Sequence, residues 1–272
     1  MQSLVSVCIP VYNGEKFIKE AVETALNQKY DNLEVIVVDN CSTDSTVEIV
    51  KSVNNPKLRL VVNDSNLGMV GNWNKCIKEA KGDYINLLCA DDRLKEDCVA
   101  KKAAILDEHP NVVLVSSDTD IISETGEVMM KRKGLRKTGV YSGAKIFRKS
   151  IHSRNLYGEP TNVLFRKCVV NKTDGYSGGL PYSPDWEFWL HLSTLGDVGY
   201  ISEALSEYRV SSVSATDSLL KNKNKLKEDS ERFFNCVSNY APVSKRDIRI
   251  NRRYQKFRTF EKQVFYKFFV RN

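Results

Sequence analysis

Short apolar runs alternate with segments of helical periodicity through the first part of the chain. The apolar runs are rich in Val, Leu and Ile, a composition typical of buried strands. The predicted strands cover residues 5–10, 33–39, 58–62, 84–88 and 112–117. The predicted helices cover residues 17–27, 46–51, 69–80 and 95–109. Because strand and helix alternate at short spacing, the pattern predicts a mostly parallel, doubly wound α/β sheet.

The regular alternation loosens after residue 117. The pattern there predicts a β-rich excursion, a helix and a strand over residues 118–139, 143–149 and 162–165. A Gly- and Pro-rich loop then leads into a helix over residues 185–192, in which Trp186 and Trp189 face a core. Further strands are predicted at residues 198–201 and 205–210. These elements complete a first domain predicted over residues 1–215.

Polar residues follow the predicted strands at the point where each strand ends. The strand over residues 84–88 leads into Asp91 and Asp92, and Asp39 ends an earlier strand. Ligands bind at this edge of open parallel sheets, and two carboxylates suit a hard divalent cation that shares its ligands with a phosphate. The alternative for the acidic pair is a helix N-cap. Neither GxGxxG nor GxxxxGK[ST] is present, so a nucleotide must be held in another way.

Composition narrows the class of protein. The 272 residues carry seven cysteines without a CxxC pair, which disfavours a zinc site or a disulfide framework and indicates a reducing cytoplasm. The chain has no apolar run long enough to span a bilayer, and no signal segment precedes the first strand. The net charge of +7 arises in residues 216–272, which hold 15 Lys and Arg against 6 Asp and Glu. Nucleic-acid binding by the main body is therefore not supported.

The basic segment over residues 216–272 is predicted to be a helical C-terminal extension. Six apolar residues in it keep helical spacing: Ile250, Tyr254, Phe257, Val264, Phe265 and Phe268. One interpretation is a helix packed on the domain. The other is a cationic interfacial helix that holds a cytoplasmic protein peripherally at the anionic inner face of the membrane. The basic residues between 131 and 137 allow a similar pair of interpretations, a solvated hairpin or a contact with an anionic lipid carrier.

An ordered set of short motifs covers residues 3 to about 214. The motifs are VCIPVYNGE from residue 7, LEVIVVDNCSTD from residue 33, Asn66-Leu67-Gly68, Asn74, AKGDYI from residue 80, Ala90-Asp91-Asp92, DWEFWL from residue 185 and Tyr208-Arg209-Val210. In this order they resemble the family 2 glycosyltransferases. The resemblance implies a GT-A fold, with a Rossmann-like, mostly parallel sheet flanked by helices and followed by the C-terminal helical extension.

The resemblance also implies roles for individual residues. The residues that frame the nucleobase would be Pro10, Val11, Tyr12 and Glu15, with Asp39 accepting a hydrogen bond from a base N–H. The residues that line the phosphate and ribose side would be Asn66, Gly68 and Asn74. The motif after the fourth strand would bind the donor through Ala90, Asp91 and Asp92. Within it, Asp91 matches the metal ligand, and Asp92 would contact the donor sugar or support the site. Asp185 matches the catalytic base.

The function that the resemblance implies is an inverting transfer of a hexosyl or N-acetylhexosaminyl group. The donor would be a nucleotide sugar, UDP-linked, and the acceptor a hydroxyl of a glycan or lipid-linked acceptor in polysaccharide biosynthesis. A divalent cation, Mn²⁺ or Mg²⁺, would neutralise the leaving diphosphate. Cys89 and Ser211 stand where many members carry metal-contacting residues, so weak metal binding is expected.

Two other functions stay open at this stage. The first is a catalytically degenerate module that binds a nucleotide sugar or a glycan, which Cys89 and Ser211 suggest. The second is a sugar nucleotidyltransferase, whose chemistry usually requires a glycine-rich basic loop after the first strand. Residues 11–16 do not supply such a loop.

Overall fold

A computed structural model of the chain describes residues 2–210 and 223–255. The strands are β1 (Val5–Val11), β2 (Leu33–Asp39), β3 (Leu58–Val62), β4 (Tyr84–Leu87), β5 (Arg93–Leu94), β6 (Val112–Ile122), β7 (Val128–Arg132), β8 (Gly139–Tyr141), β9 (Leu164–Arg166) and β10 (Asp197–Arg209). The helices are α1 (Ile18–Leu26), α2 (Thr46–Ser52), α3 (Gly68–Glu79), α4 (Cys98–Glu108), α5 (Gly143–Ile151), α6 (Lys167–Val170), α7 (Pro184–Thr194) and α8 (Lys223–Ser238). Residues 160–162 form a 3₁₀ turn, and residues 245–255 are helical.

One mixed sheet contains the ten strands, in the order β3-β2-β1-β4-β9-β6-β10-β5. The first four strands in this order are parallel, as the strand–helix alternation predicts. Strand β9 runs antiparallel between β4 and β6, while β6 and β10 are parallel to each other. Strands β7 and β8 pair with β6 and β10 outside the main order. The α/β prediction is therefore confirmed, with antiparallel pairing added in the second half of the sheet.

Helices cover both faces of the sheet, and each face has its own apolar core. Along β1, Val7 and Ile9 join the core beneath α1, α2 and α4, whereas Cys8 joins the opposite core. Successive strand residues point to opposite faces, so a strand buried on both sides reads as a continuous apolar run. Trp186 and Trp189 lie in the second core, as predicted.

The structure differs from the predicted boundaries in three places. The helix predicted from residue 95 begins at Cys98, because residues 93–94 pair with β10 as β5. Strand β6 runs on to Ile122, and β10 is one irregular strand rather than two. The reason is the same in β6 and β10: polar side chains occur within buried strands. Ser117 and Ser206, for example, are buried and bond to the side chain of Asn162.

The described part of the C-terminal segment packs against the domain. Phe233, Phe234 and Val237 of α8 are buried in the core around α7, and the Phe233 ring lies 4.7 Å from that of Trp186. Most of the predicted interfacial face, from Phe257 onward, lies outside the described residues. The domain boundary at residues 215 and 216 stays a prediction. In the described ranges, every helix is too short or too polar to cross a bilayer.

Candidate active site

Three parallel strands end at one edge of the sheet, and predicted nucleotide-binding residues follow those ends. Val11 at the end of β1 pairs with Asp39 at the end of β2, and β4 pairs with β1 on its other side. Pro10 and Val11 are buried, whereas Tyr12 is 51% exposed. The fold thus brings the predicted nucleobase residues to the carboxyl edge of the sheet, where open α/β sheets bind ligands.

The loop after β1 is fixed to the loop after β2 by a series of hydrogen bonds. Asn13 accepts from the Thr43 amide through Oδ1 (2.8 Å), and its own amide donates to the Ser42 hydroxyl (2.9 Å). The Ser45 amide donates to Glu15 Oε2 at 3.0 Å. Glu15 thereby holds the loop, and its predicted contact with a nucleobase stays a prediction.

Asp39 combines complete burial with an unused acceptor. Its Oδ2 accepts from the Ser42 amide at 2.9 Å. Its Oδ1 is buried and, among the atoms that the structure describes, has no hydrogen-bond partner. Buried acceptors without a partner are rare and costly, so they often mark a ligand position. The carboxylate could accept one N–H bond from a ligand seated beside Val11.

An asparagine network supports the turn before α3. Asn66 Oδ1 accepts from Asn40 Nδ2 (2.9 Å) and from the Gly68 amide (2.8 Å). Asn63 Nδ2 in turn donates to Asn72 at 2.9 Å. Gly68 has a positive φ of 72°, which favours glycine at that position. Asn66 and Gly68 therefore lie together at the site edge, and their predicted phosphate and ribose contacts stay predictions.

Asn74 has a structural partner of its own. Its amide accepts from the Tyr176 N–H at 2.9 Å and donates to the Tyr176 carbonyl at 3.0 Å. Gly175 makes this approach possible, because a Cβ there would lie 2.5 Å from Asn74 Oδ1. Asn74 thus fixes the loop that leads to Asp185. Its predicted contact on the phosphate and ribose side stays a prediction.

The two carboxylates of the acidic pair differ, since Asp92 is buried and hydrogen-bonded whereas Asp91 is half-buried. Asp92 accepts from the Thr161 hydroxyl (2.5 Å) and from the Arg209 amide (2.9 Å). Burial raises the pKa of Asp92 well above its ordinary value, and the charge of Asp91 raises it further. Thr161 also accepts from the Cys89 amide at 3.0 Å. These contacts favour the supporting role for Asp92 over contact with a donor sugar.

Arg209 supports the acidic pair through hydrogen bonds to both residues. The side chain is 2% exposed, and its Nε donates to the Asp91 carbonyl at 2.8 Å. Its guanidinium also donates to the Glu124 carbonyl (2.8 Å), pairs with Glu20 and lies 4.4 Å from the centre of the Phe17 ring. Arg209 therefore connects the end of β10 to the backbone of the predicted metal ligand.

Asp185 lies in the first turn of α7, close to the acidic pair. Its Oδ2 accepts from Asn155 Nδ2 at 3.1 Å. The carboxylate also acts electrostatically on three neighbours, Cys89, Arg132 and Tyr176. Desolvation raises the pKa of the Cys89 thiol, and Asp185 adds to that rise together with the acidic pair. Desolvation lowers the pKa of Arg132 to about 10, and Asp185 opposes that fall. The predicted base therefore lies within electrostatic range of Cys89, which immediately precedes the predicted metal-binding motif.

The α8 helix anchors the turn that precedes Asp185. The buried Asp229 carboxylate accepts from the Tyr182 amide (2.7 Å) and from the Ser183 hydroxyl (2.6 Å). Farther along, the Tyr240 hydroxyl donates to the Glu187 carbonyl at 3.0 Å. The C-terminal segment therefore contributes to the position of α7 and of the predicted base.

The residues at the end of β4 offer few ligands to a divalent cation. In the described ranges, no group of three or more His, Cys, Asp or Glu side chains is placed to share a metal ion. Asp92 is held by the Thr161 hydroxyl and the Arg209 amide, so the half-buried Asp91 remains as a carboxylate ligand. Ala90 is half-buried beside it, and Ser211 lies outside the described residues. Mg²⁺ is often held by one or two carboxylates, with phosphates and water completing its shell. The site therefore fits a weakly held cation.

Glu187 gives the helix of the predicted base a distinct pH dependence. Burial raises its pKa from 4.5 to about 7, although the Tyr240 contact lowers it in part. Because the folded protein retains this proton where the unfolded chain releases it, stability falls as pH rises from about 4.5 to about 7. A Glu187→Gln variant should exceed the wild type by up to about 3 kcal/mol above neutral pH and lose that advantage in acid. Melting temperatures across the pH range measure this, and parallel curves would contradict it.

Comparison with known proteins identifies the family. The model of the family "Glycosyl transferase family 2" matches residues 6–172. The chain belongs to glycosyl transferase family 2. The relatives of this family 2 glycosyltransferase include an uncharacterized glycosyltransferase of Haemophilus influenzae, 28% identical over 76% of this chain and 65% of the relative. The poly(ribitol-phosphate) β-N-acetylglucosaminyltransferase TarS of Staphylococcus aureus is 30% identical over 63% of this chain and 29% of TarS. The chain thus spans less than two thirds of these relatives.

Solved structures confirm the GT-A fold of this family member. A TarS structure (residues 1–349) in complex with UDP aligns with a TM-score of 0.72 at 20% identity, over 98% of this chain and 75% of that one. The mannosyltransferase PcManGT of Pyrobaculum calidifontis, in complex with GDP-Man and Mn²⁺, aligns with a TM-score of 0.66 at 17% identity, over 94% of this chain and 70% of that one. At these identities the likeness shows the fold alone.

Sequence reasoning missed several residues that organise the site. Thr161 donates to Asp92, and Asn155 donates to Asp185. Arg209 donates to the Asp91 carbonyl and so supports its backbone. Thr161 and Asn155 fall in a polar stretch without periodicity, where no pattern singles out one residue. Arg209 belongs to the motif Tyr208-Arg209-Val210, but its burial and its contacts follow from the tertiary fold alone.

Proposed function

We propose that this protein transfers a sugar from a UDP-linked donor to a hydroxyl of a glycan or lipid-linked acceptor during polysaccharide synthesis. The observation that carries the proposal is the unpartnered, buried Oδ1 of Asp39 at the edge where β1 and β2 end. An acceptor in this position suits the N–H of a nucleobase. Asp91 follows β4 at the same edge, and Asp185 acts electrostatically on the neighbouring Cys89, so we propose that they meet the diphosphate and the acceptor of such a donor.

The relatives support the choice of donor. TarS is named as an N-acetylglucosaminyltransferase, and its structures include complexes with UDP and with UDP-GlcNAc. PcManGT shows that the same fold also holds GDP-Man with Mn²⁺. We therefore propose a hexosyl or N-acetylhexosaminyl donor with UDP as its nucleotide. Binding of GDP is the comparison that tests this choice of nucleotide.

The proposed reaction is a single in-line displacement at C1 of the donor sugar. Asp185 takes the proton of the acceptor hydroxyl as its oxygen bonds to C1, and the bond between C1 and the diphosphate oxygen breaks. The products are the glycoside with inverted configuration and a nucleoside diphosphate. A cation held by Asp91, where bound, would stabilise the charge that develops on the diphosphate.

Substitution of Asp39 tests the donor site. An Asp39→Asn variant keeps an oxygen for the Ser42 amide but replaces one acceptor with an amide group. We expect UDP affinity to fall about 10- to 100-fold, since a buried ligand N–H loses its partner. Titration calorimetry with UDP measures the change. Asp64→Asn is the matched control, because it removes the same charge from an exposed position near the same edge.

The Asp39 result has a clear alternative outcome. If both variants bound UDP as the wild type does, Asp39 would not contact the base and the proposed donor site would be wrong. If both lost affinity equally, the cause would be net charge rather than the buried acceptor.

A catalytically degenerate binding module remains the second candidate, because Cys89 and Ser211 replace residues that contact the metal in many members and the engaged Asp92 leaves few carboxylates. The products separate the candidates. A transferase releases nucleoside diphosphate from a nucleotide sugar, whereas a binding module leaves the nucleotide sugar intact. A nucleotidyltransferase would release pyrophosphate from a nucleoside triphosphate and a sugar phosphate.

We further propose a cytoplasmic location with peripheral contact to the inner face of the membrane. The proposal rests on the basic composition of residues 216–272 and on the apolar periodicity that continues beyond residue 255. Co-sedimentation of the full chain with anionic vesicles tests it. Equal recovery in the pellet with and without vesicles would contradict it.

A further inference from the structure

Two segments outside the nucleotide site are unusually basic. Residues 128–158 contain nine Lys and Arg and no Asp or Glu. Residues 245–255 contain five Lys and Arg and one acid, Asp247. The single acid is engaged by His152, which belongs to the first segment. This concentration of one sign of charge is not required by the nucleotide site.

Hydrogen bonds place the basic segments side by side. Arg154 donates to the Lys133 carbonyl at 3.0 Å, which joins the loop after β7 to the residues that follow α5. Asn251 donates to the Ile151 carbonyl at 2.7 Å, which joins the helical residues 245–255 to the end of α5. Three separate stretches of chain therefore meet at the C-terminal end of α5.

The cations of these segments are exposed, except for the half-buried Arg132 and Arg154. Lys145, Arg148 and Lys149 have the spacing of one helix face and are exposed, while Ile146 and Ser150 on the other face are buried. In residues 245–255 the five Lys and Arg side chains are likewise exposed, while Asn251 is buried. We define the basic surface by its ten cations: Lys133, Lys145, Arg148, Lys149, Arg154, Lys245, Arg246, Arg249, Arg252 and Arg253. Within the described ranges none of them forms a salt bridge with a carboxylate.

The basic surface reaches the predicted catalytic base. Asn155, the residue after Arg154, donates to Asp185 at 3.1 Å. Arg132 precedes Lys133, pairs with Glu159 and lies 5.8 Å from the centre of the Tyr208 ring. One end of the surface therefore opens where the acceptor hydroxyl must meet Asp185.

We propose that the basic surface binds the acceptor, and that the acceptor is a glycan chain with repeated anionic groups, phosphodiesters or carboxylates. The proposal rests on the proposed function, since it takes Asp185 as the point of transfer. Ten unpaired cations repel one another, and a polyanion would relieve that repulsion and release its own counterions. Arginine and lysine suit both phosphate and carboxylate groups.

A flat anionic membrane is the less favoured partner for this surface. Interfacial binding requires exposed apolar side chains among the cations. In the described ranges, α5 and residues 245–255 expose no large apolar side chain. Val128, Met130 and Val140 are exposed, but they lie on β7 and β8 beside the surface. The charge without an apolar face favours a hydrated polyanion.

The first test measures polyanion binding by the full chain. The variant is Lys145→Gln/Arg148→Gln/Lys149→Gln, and the control is Lys51→Gln/Lys78→Gln/Lys81→Gln, which removes three exposed cations elsewhere. The probe is fluorescent long-chain inorganic polyphosphate, titrated at several salt concentrations. We expect the α5 variant to bind about tenfold more weakly, with a salt slope smaller by about 2 to 3. The control should match the wild type.

Parallel measurements use vesicles of phosphatidylglycerol and phosphatidylcholine. Binding to vesicles but not to polyphosphate would overturn the proposal in favour of a membrane surface. Equal polyphosphate binding by the α5 variant and its control would also overturn it, because the interaction would then reflect net charge alone.

The second test identifies the acceptor. Nucleoside diphosphate release is measured with the wild type alone and after addition of a polyol-phosphate chain, a uronic-acid polysaccharide or neutral dextran. We expect one of the two anionic chains to stimulate release, more strongly in the control variant than in the α5 variant. Which chain does so separates phosphodiester from carboxylate recognition.

Stimulation by neutral dextran alone would overturn the proposal. Release without acceptor reports the donor reaction by itself. If no nucleotide sugar were bound or cleaved, the proposed function would fail even where polyphosphate still bound to the basic surface. The two failures are therefore distinguishable.

Discussion

An Asp185→Asn variant is expected to bind UDP as the wild type does and to lose about 100- to 10,000-fold in turnover. The amide keeps an oxygen for the Asn155 donor, so the first turn of α7 should hold its place. It cannot take a proton from an acceptor hydroxyl at neutral pH. Nucleoside diphosphate release under saturating donor measures the turnover, and calorimetry measures UDP binding.

Glu187→Gln is the matched control for the base, since Glu187 lies two residues along the same helix and is buried. It should keep turnover near that of the wild type at neutral pH. Full activity of Asp185→Asn would show that another group accepts the proton. Loss of activity in both variants would point to damage to α7 rather than to the removal of a base.

An Arg209→Lys variant is expected to lower the free energy of unfolding by about 3 kcal/mol and to weaken donor binding. A lysine keeps the charge but cannot reach the Asp91 and Glu124 carbonyls and Glu20 together. Each charged hydrogen bond lost leaves a buried acceptor unsatisfied. Because the Asp91 backbone loses its support, stabilisation by UDP with Mn²⁺ should also shrink. Denaturant unfolding with and without ligand measures both effects.

Arg93→Lys provides the comparison for Arg209. Arg93 pairs with the same Glu20 at 2.8 Å, but none of its hydrogen bonds reaches Asp91. Arg93→Lys should lower the free energy of unfolding without changing the additional stabilisation that UDP provides. If Arg209→Lys were as stable as the wild type and responded equally to UDP, Arg209 would not support the acidic pair.

The first half of the fold follows from sequence because its strands are buried on both faces. Strands β1, β2 and β4 read as apolar runs, and the helical crossovers between successive strands make neighbouring strands parallel. The second half of the fold cannot be predicted from sequence in the same way. Strand β6 buries polar residues that pair within the core, and β5 has two residues, too few for any periodicity. Long-range pairing decides those elements, and no local pattern encodes it.

The site could be predicted as a set of positions but not as a set of contacts. The carboxyl ends of the strands place Asp39 and Asp91 on one edge. The division of work between Asp91 and Asp92 depends on Thr161, which lies 69 residues from Asp92 in the chain. Asn74 shows the same limit, since its partner Tyr176 is 102 residues away. Such partners follow from the tertiary fold.

The most direct test of the donor site is the melting temperature of the full chain with UDP, GDP and CMP, each with and without Mn²⁺. A ligand that binds only the folded state raises the melting temperature, and the rise grows with the ratio of ligand concentration to Kd. We predict the largest rise with UDP, and a further rise when Mn²⁺ is added. A folded sample that shows no rise with any of these nucleotides would contradict the proposed transferase and favour a degenerate module that binds a glycan.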